Sequence, residues 1–176
     1  TVSGIDRSAA PEVSKADGVA AFGGTPSDAS VRHAIADLKA RGLKVMFYPF
    51  VLMDIAAGNG LPDPYGAAAQ GAYPWRGRIT ASVAPGRAGT PDKTATAATE
   101  IAAFTGTAAA SDFSVAGDTI VFSGTPQWSY RRMILHYAHL CAAAGGVDAF
   151  LIGSELRGLT TLRDGSSSYP FVAELA

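Results

Sequence analysis

Two short apolar runs, each arriving directly behind a helical pattern and a glycine stop, constrain this chain more than any other feature. The first is Lys44-Val-Met-Phe-Tyr-Pro-Phe-Val-Leu52, and the second runs from Ala149 to Ile152. Apolar and polar residues in alternation mark a strand with one wet face. An uninterrupted apolar run marks a strand buried on both faces, as in parallel sheets flanked by helices. Pro49 has no amide hydrogen to give a ladder, so the strand proper is predicted at Val45 to Tyr48. Ahead of it, Val31, Ala34, Ile35 and Leu38 recur at helical spacing among Arg32, Asp37, Lys39 and Arg41. This predicts an amphipathic helix over Ala29 to Arg41, with Ser27 or Asp28 accepting its free first-turn amides and Gly42 as a left-handed stop. Ahead of the second run, Gln127 to Ala144 carries Trp128, Arg131, Met133, Ile134, Leu135, Tyr137, Ala138 and Leu140 and stops at Gly145-Gly146.

Between these helix and strand pairs, residues 53 to 124 hold no strong helix and are rich in Gly, Pro, Ala and Thr, too long a stretch for a plain connector. Within it, Phe113 to Phe122 reads as two short strands around an Ala-Gly-Asp turn, and Ala95 to Phe104 as a helical turn or two. The first 24 residues show little periodicity, and Tyr169 to Ala176 opens another helical pattern. The fold class is α/β, part of a TIM (β/α)8-like barrel with a long insertion carrying a small β-hairpin. One incomplete domain is expected: an opening segment 1–28, helix and strand 29–52, a rim insertion 53–126, helix and strand 127–160, and the start of the next helix 161–176. Two parallel strands are legible where a closed barrel takes eight, and no internal repeat supplies the rest. The expectation is a piece of a larger barrel whose bare strand edges and helix faces make it associate or rearrange when produced alone.

Several function classes lose support. The 14 basic residues stand against 15 acidic ones without a basic run, so nothing favours nucleic acid through bulk charge. The single cysteine, Cys141, excludes an internal disulfide framework and lies in an Ala-rich helical stretch that suits a small buried hydrophobe. No apolar run approaches the ~18 residues of a membrane span, and no signal-peptide pattern opens the sequence, so neither a membrane span nor secretion by the general pathway is expected. His136 and His139 lie three apart without an intervening zincin glutamate or a cysteine cluster, and His33 is distant, so they read as solvent or core histidines rather than metal ligands. The scattered glycines form neither a phosphate loop nor a dinucleotide fingerprint. No metal and no cofactor are expected.

Chemistry concentrates behind the second run. Gly153 and Ser154 break the strand and set Glu155 at the C-terminal rim of the parallel sheet, where α/β barrels keep catalytic groups. Four stretches together carry a resemblance: Gly23 to Ser30, Ala36 to Ile55, Tyr73-Pro-Trp-Arg-Gly-Arg-Ile-Thr80, and Phe150-Leu-Ile-Gly-Ser-Glu-Leu-Arg-Gly-Leu-Thr160. They resemble the TIM-barrel-like domain of gene transfer agent and phage tail host-specificity proteins. The resemblance implies a tail-tip component of a phage-like particle, assembled in the bacterial cytoplasm and then extracellular, with other tail-tip proteins as partners. It further implies a glycoside hydrolase-like barrel acting on host-envelope polysaccharide or peptidoglycan, or a saccharide- or receptor-binding or structural module that keeps the barrel without the catalysis.

Glycoside hydrolysis takes two carboxyl groups flanking the scissile bond. By the resemblance Glu155 is the acid/base, and Ser154 stands where related glycosidases hold an asparagine that contacts substrate. The partner carboxylate is expected from a later strand, outside this chain. Asp54, beyond the first strand, would share the rim and orient substrate, or else serve as a helix cap or turn residue. Tyr73, Trp75, Arg76 and Arg78 combine aromatic faces that stack on sugars with donors for hydroxyl groups, and Arg157 follows Glu155 closely. Each also has a plain structural reading. Glu155 can be tied to Arg157, Arg131 or Arg132, Trp75 can anchor the long loop, and Arg76 and Arg78 can pair with Asp54 or Asp63. Trp128 and Tyr130 read as core.

Overall fold

In a computed structural model the described residues are 12–16, 19–22, 26–51, 53, 55 and 57–176, the first two segments as backbone. Strands β1 (Glu12–Ala16) and β2 (Val19–Phe22) pair antiparallel, with an irregular register between Glu12 and Ser14. A hairpin thus forms where the sequence shows little periodicity. The remaining elements are α1 (Asp28–Ala40), β3 (Met46–Phe47), α2 (Ala95–Thr105), β4 (Phe113–Ala116), β5 (Thr119–Phe122), α3 (Tyr130–Ala143), β6 (Ala149–Phe150), α4 (Arg157–Thr160) and α5 (Pro170–Leu175). The described residues fall into two units. One comprises Phe50–Thr105 and Gly153–Ala176, the other Gly106–Ile152 and the described residues before Phe50.

In the second of these units, α1 begins where Ser27 Oγ accepts the Ser30 amide at 3.2 Å. Ser27, not Asp28, therefore takes the capping role. Asp28 is buried at 8 % exposure and turns to the hairpin and α3 instead, accepting from Thr119 Oγ1 at 3.0 Å and the Ile120 amide at 3.2 Å, with His136 Nε2 at 2.9 Å. Gly42 stops α1 with φ 73°, and Lys39 Nζ donates to the carbonyls of Gly145 and Gly146 behind α3. Helix α3 starts at Tyr130 rather than Gln127, because Ser129 Oγ accepts the Arg132 amide at 3.3 Å and fixes the first turn there. Trp128 consequently lies outside the helix. Its half-buried ring is covered by the Arg132 guanidinium at 3.7 Å, a cation–π stack, while Tyr130 is buried as expected of a core residue. The Tyr130 hydroxyl donates to the Ile152 carbonyl, and burial pushes its pKa up to about 12.

Strands β3 and β6 pair in parallel, Met46 opposite Ala149 and Phe47 opposite Phe150. The Asp148 carboxylate accepts the Val45 amide at 2.8 Å, which fixes the start of the register. One face is packed, with the Phe47 ring 5.3 Å from that of Tyr137 on α3 and 5.9 Å from that of Phe150. The other face is open, Met46 being 65 % exposed. Burial on both faces, expected from the apolar runs, is therefore not what these two strands have, because a two-stranded sheet covered by one helix presents its second face to solvent. The β4–β5 hairpin turns at Gly117, φ 57°, whose carbonyl accepts from Arg32 at 2.6 Å, and Phe113 stacks on His139 with ring centres 5.1 Å apart.

In the first unit, α2 runs for 11 residues, longer than a turn or two. Ala97, Ile101 and Phe104 are buried along one face, and Phe104 meets Phe171 of α5 edge-on at 5.9 Å. Its alanine and threonine content hides the stripe from a hydrophobicity reading. Asp92 and Arg163 lock the loops leading into α2 and out of α4, with Arg163 Nη2 2.5 Å from Oδ2 and the Arg163 amide 2.9 Å from Oδ1.

Candidate functional site

Within the first unit, two glycines bring the chemistry-bearing residues together. A Cβ added to Gly77 would lie 2.3 Å from the Trp75 ring, so the indole can fold across the 3₁₀ turn Arg76–Arg78 only because residue 77 has no side chain. A Cβ added to Gly158 would lie 2.2 Å from the Ile79 carbonyl oxygen and 3.0 Å from that of Gly77. Helix α4 thereby sits backbone-to-backbone on the 3₁₀ turn. That close approach carries Glu155, three residues earlier, onto Trp75 and Arg76.

The carboxylate of Glu155 is gripped on one oxygen. Trp75 Nε1 donates to Oε2, and Arg76 Nη2 lies 3.0 Å from the same atom. Among the described residues no donor reaches Oε1, and the side chain is 48 % exposed, so the second oxygen stays open to an incoming group. The Arg76 guanidinium lies 4.4 Å over the Phe50 ring and is largely buried, with its Nε lacking an acceptor among the described residues. Ser154 Oγ, next to Glu155, is likewise buried without a partner among them. Both Glu155, at φ 56°, and Tyr73, at φ 44°, occupy the left-handed region that side-chain-bearing residues seldom adopt. Tyr73 and Trp75 expose 69 % and 52 % of their surface, so two aromatic side chains two residues apart in sequence are open to solvent, and the second of them holds the carboxylate.

Beside this group lies a second ion pair. Arg78 Nη2 reaches both oxygens of Asp63, at 3.0 and 3.1 Å, and its guanidinium lies 4.2 Å over the Tyr65 ring. Burial works to raise the Asp63 pKa, but the amides of Tyr65 and Ala67 together with Arg78 outweigh it and hold the carboxyl below its ordinary value. Burial raises the Tyr65 phenol. Arg157 is exposed at the start of α4 and makes no ion pair among the described residues.

The sequence-predicted residues thus separate. Trp75, Arg76 and Glu155 converge, with Ser154 adjoining in sequence. Arg78 is drawn to Asp63, as one structural reading had it, and Glu155 pairs with Arg76 rather than with Arg157, Arg131 or Arg132. Asp54 lies outside the described residues. Phe50, the surface beneath Arg76, and the two close-approach glycines were not singled out from sequence. The signal the sequence offers is a glycine shortly after each of two candidate residues, in Trp75-Arg-Gly77 and in Glu155-Leu-Arg-Gly158. Among the described residues no cluster of three or more His, Cys, Asp or Glu is placed to hold a metal ion, and no helix is long and apolar enough to cross a membrane.

No curated protein matches the chain. Residues 128–176, under a third of its length, match the family model of the GTA (gene transfer agent) TIM-barrel-like domain. That stretch contains α3, β6, Ser154, Glu155, Arg157 and Gly158, while Trp75 and Arg76 lie outside it. From Trp128 onward, then, the chain is similar to a gene transfer agent domain of TIM-barrel-like fold, in keeping with its mixed helices and parallel strand pair.

Proposed function

We propose that this chain is part of a tail-tip component of a gene transfer agent or phage-like particle, and that Glu155 belongs to a glycoside hydrolase-like site for host-envelope polysaccharide or peptidoglycan. One observation carries the reading: a half-exposed carboxylate is held by an indole N–H and a guanidinium, with one oxygen open and the indole face itself exposed. Sugars are recognised by this combination, since an aromatic face takes the C–H side of the ring while a carboxylate and an arginine take its hydroxyl groups. Backbone strain at both Glu155 and Tyr73 supports a functional role, because such conformations cluster at binding and catalytic positions. In this reading Glu155 Oε1 faces the glycosidic oxygen. Arg76 and Trp75 fix the carboxylate, and Tyr73 and Trp75 supply the platform.

A second reading is favoured by a different observation. Hydrolysis needs a second carboxyl group about 5 to 9.5 Å from the first, and Asp63, the other acid of this cluster, is committed to Arg78 and two amides. A saccharide-binding site without hydrolysis follows if no other carboxylate joins Glu155. Both readings are tested by assaying the full-length protein on purified cell wall beside Glu155→Gln. Release of reducing ends by the natural protein and a loss of about a hundredfold or more in the variant supports the acid/base role. Equal release by both overturns it, and binding without release by either establishes the binding reading.

A further inference from the structure

Charge around the site is unbalanced. Arg76 pairs with Glu155 and Arg78 with Asp63, while Arg157, two residues after Glu155, is exposed and makes no ion pair among the described residues. Arg157 is held close to the site by the same backbone contact that places Glu155. Its neighbour Gly158 abuts the Ile79 and Gly77 carbonyls, directly behind the turn that carries Arg76 and Arg78. An arginine two residues from a sugar-facing carboxylate, exposed and without an acid, presents its planar fork to solvent.

We propose that the Trp75–Glu155 site takes an acidic saccharide, a sugar bearing a carboxylate, and that Arg157 is the residue that reads its charge. The inference rests on the saccharide reading above and adds the substrate class. The sugar ring stacks on Trp75, a hydroxyl group approaches Glu155 Oε1, and the carboxylate of the same or the neighbouring sugar forms a two-pronged pair with Arg157. Arg76 and Arg78 are already engaged and contribute through fixed geometry. A neutral sugar keeps the stacking and the hydroxyl contact but forfeits the ion pair.

The test uses the full-length protein, an oligogalacturonate hexamer, and the same hexamer with its carboxylates methyl-esterified, followed by calorimetry and by the indole N–H resonance of Trp75. The acidic hexamer is expected to bind about fivefold tighter than the ester, the upper range for one exposed charge pair. The preference shrinks with added salt. Arg157→Gln abolishes the preference, and Arg157→Lys keeps most of it. Equal binding of acid and ester, with the Trp75 signal shifting in both, overturns the acidic class and leaves the saccharide reading standing. Binding of neither overturns both. A preference that survives Arg157→Gln, or acid binding that leaves the Trp75 signal unmoved, overturns the assignment to Arg157 at this site.

Discussion

Replacing Gly158 with alanine tests the backbone contact on which the whole site depends. The new methyl carbon would lie 2.2 Å from the Ile79 carbonyl oxygen, and because that atom is backbone it cannot swing aside as a side chain would. An ordinary carbon–oxygen contact is about 3.3 Å or more, so α4 has to lift by about 1 Å. Overpacking of this kind costs about 1 to 3 kcal/mol, which for a chain of this length lowers the melting temperature by about 3 to 10 °C. The lift also withdraws Glu155 from Trp75, which should move the Trp75 indole N–H resonance towards that of a solvent-exposed indole while Trp128 stays put. Gly71→Ala is the matched control, since nothing lies within 4 Å of its added Cβ. A Gly158→Ala protein that melts within 1 °C of the natural chain with an unchanged Trp75 signal would refute the claim that this contact places Glu155.

Three further outcomes follow from other parts of the molecule. Asp28→Ala removes the acceptor for Thr119, Ile120 and His136 and leaves the buried Ile120 amide without it, so chemical denaturation should show a loss of about 2 to 4 kcal/mol. A loss under about 1 kcal/mol would contradict it. The hydrogen bond from Arg163 holds the Asp92 carboxyl below its ordinary value of 3.8, so its stabilisation is complete above that value and is lost as pH falls through the lower folded one. Melting temperature measured from pH 6 to 2 should therefore drop less steeply in Asp92→Asn than in the natural chain, and parallel curves would rule this out. Burial pushes the Cys141 thiol up to about 11, so iodoacetamide at pH 8 should leave the folded protein unlabelled and modify it in urea. Labelling of the native protein at the rate of a free thiol would show the side chain to be accessible.

The sequence made some of this legible for identifiable reasons. Helices α1 and α3 announce themselves because their apolar stripes use large residues, and their stops because glycine alone takes φ near 73° or 89° cheaply, as at Gly42 and Gly145. The parallel character of β3 and β6 is readable from two apolar runs, but their bare second face is not, since an apolar run says what a strand needs rather than what covers it. At the site, the grouping of Trp75 and Arg76 with Glu155 was anticipated as a neighbourhood. The partner choice was not, because Glu155 had nearer arginines in sequence and the selection of Arg76 is made by Gly158 packing on Gly77 and Ile79. Helix α2 was underestimated because Ala97 buries completely while contributing little to any hydrophobicity pattern.

The division into two units has a consequence for how the chain acquires its structure. Among the described residues the two units interleave along the chain: Phe50–Thr105 intervenes between the parts of one, Gly106–Ile152 between the parts of the other. Trp75 waits for a partner 80 residues downstream, and Val45 for one 103 residues away. No single cut in the backbone releases either unit whole, and neither can nucleate and finish on locally available contacts. Such non-local closure slows folding and prolongs the interval in which strand edges are bare. The bond from the Trp75 indole to Glu155 forms only when both stretches of its unit have met, which makes its N–H resonance a reporter of that closure.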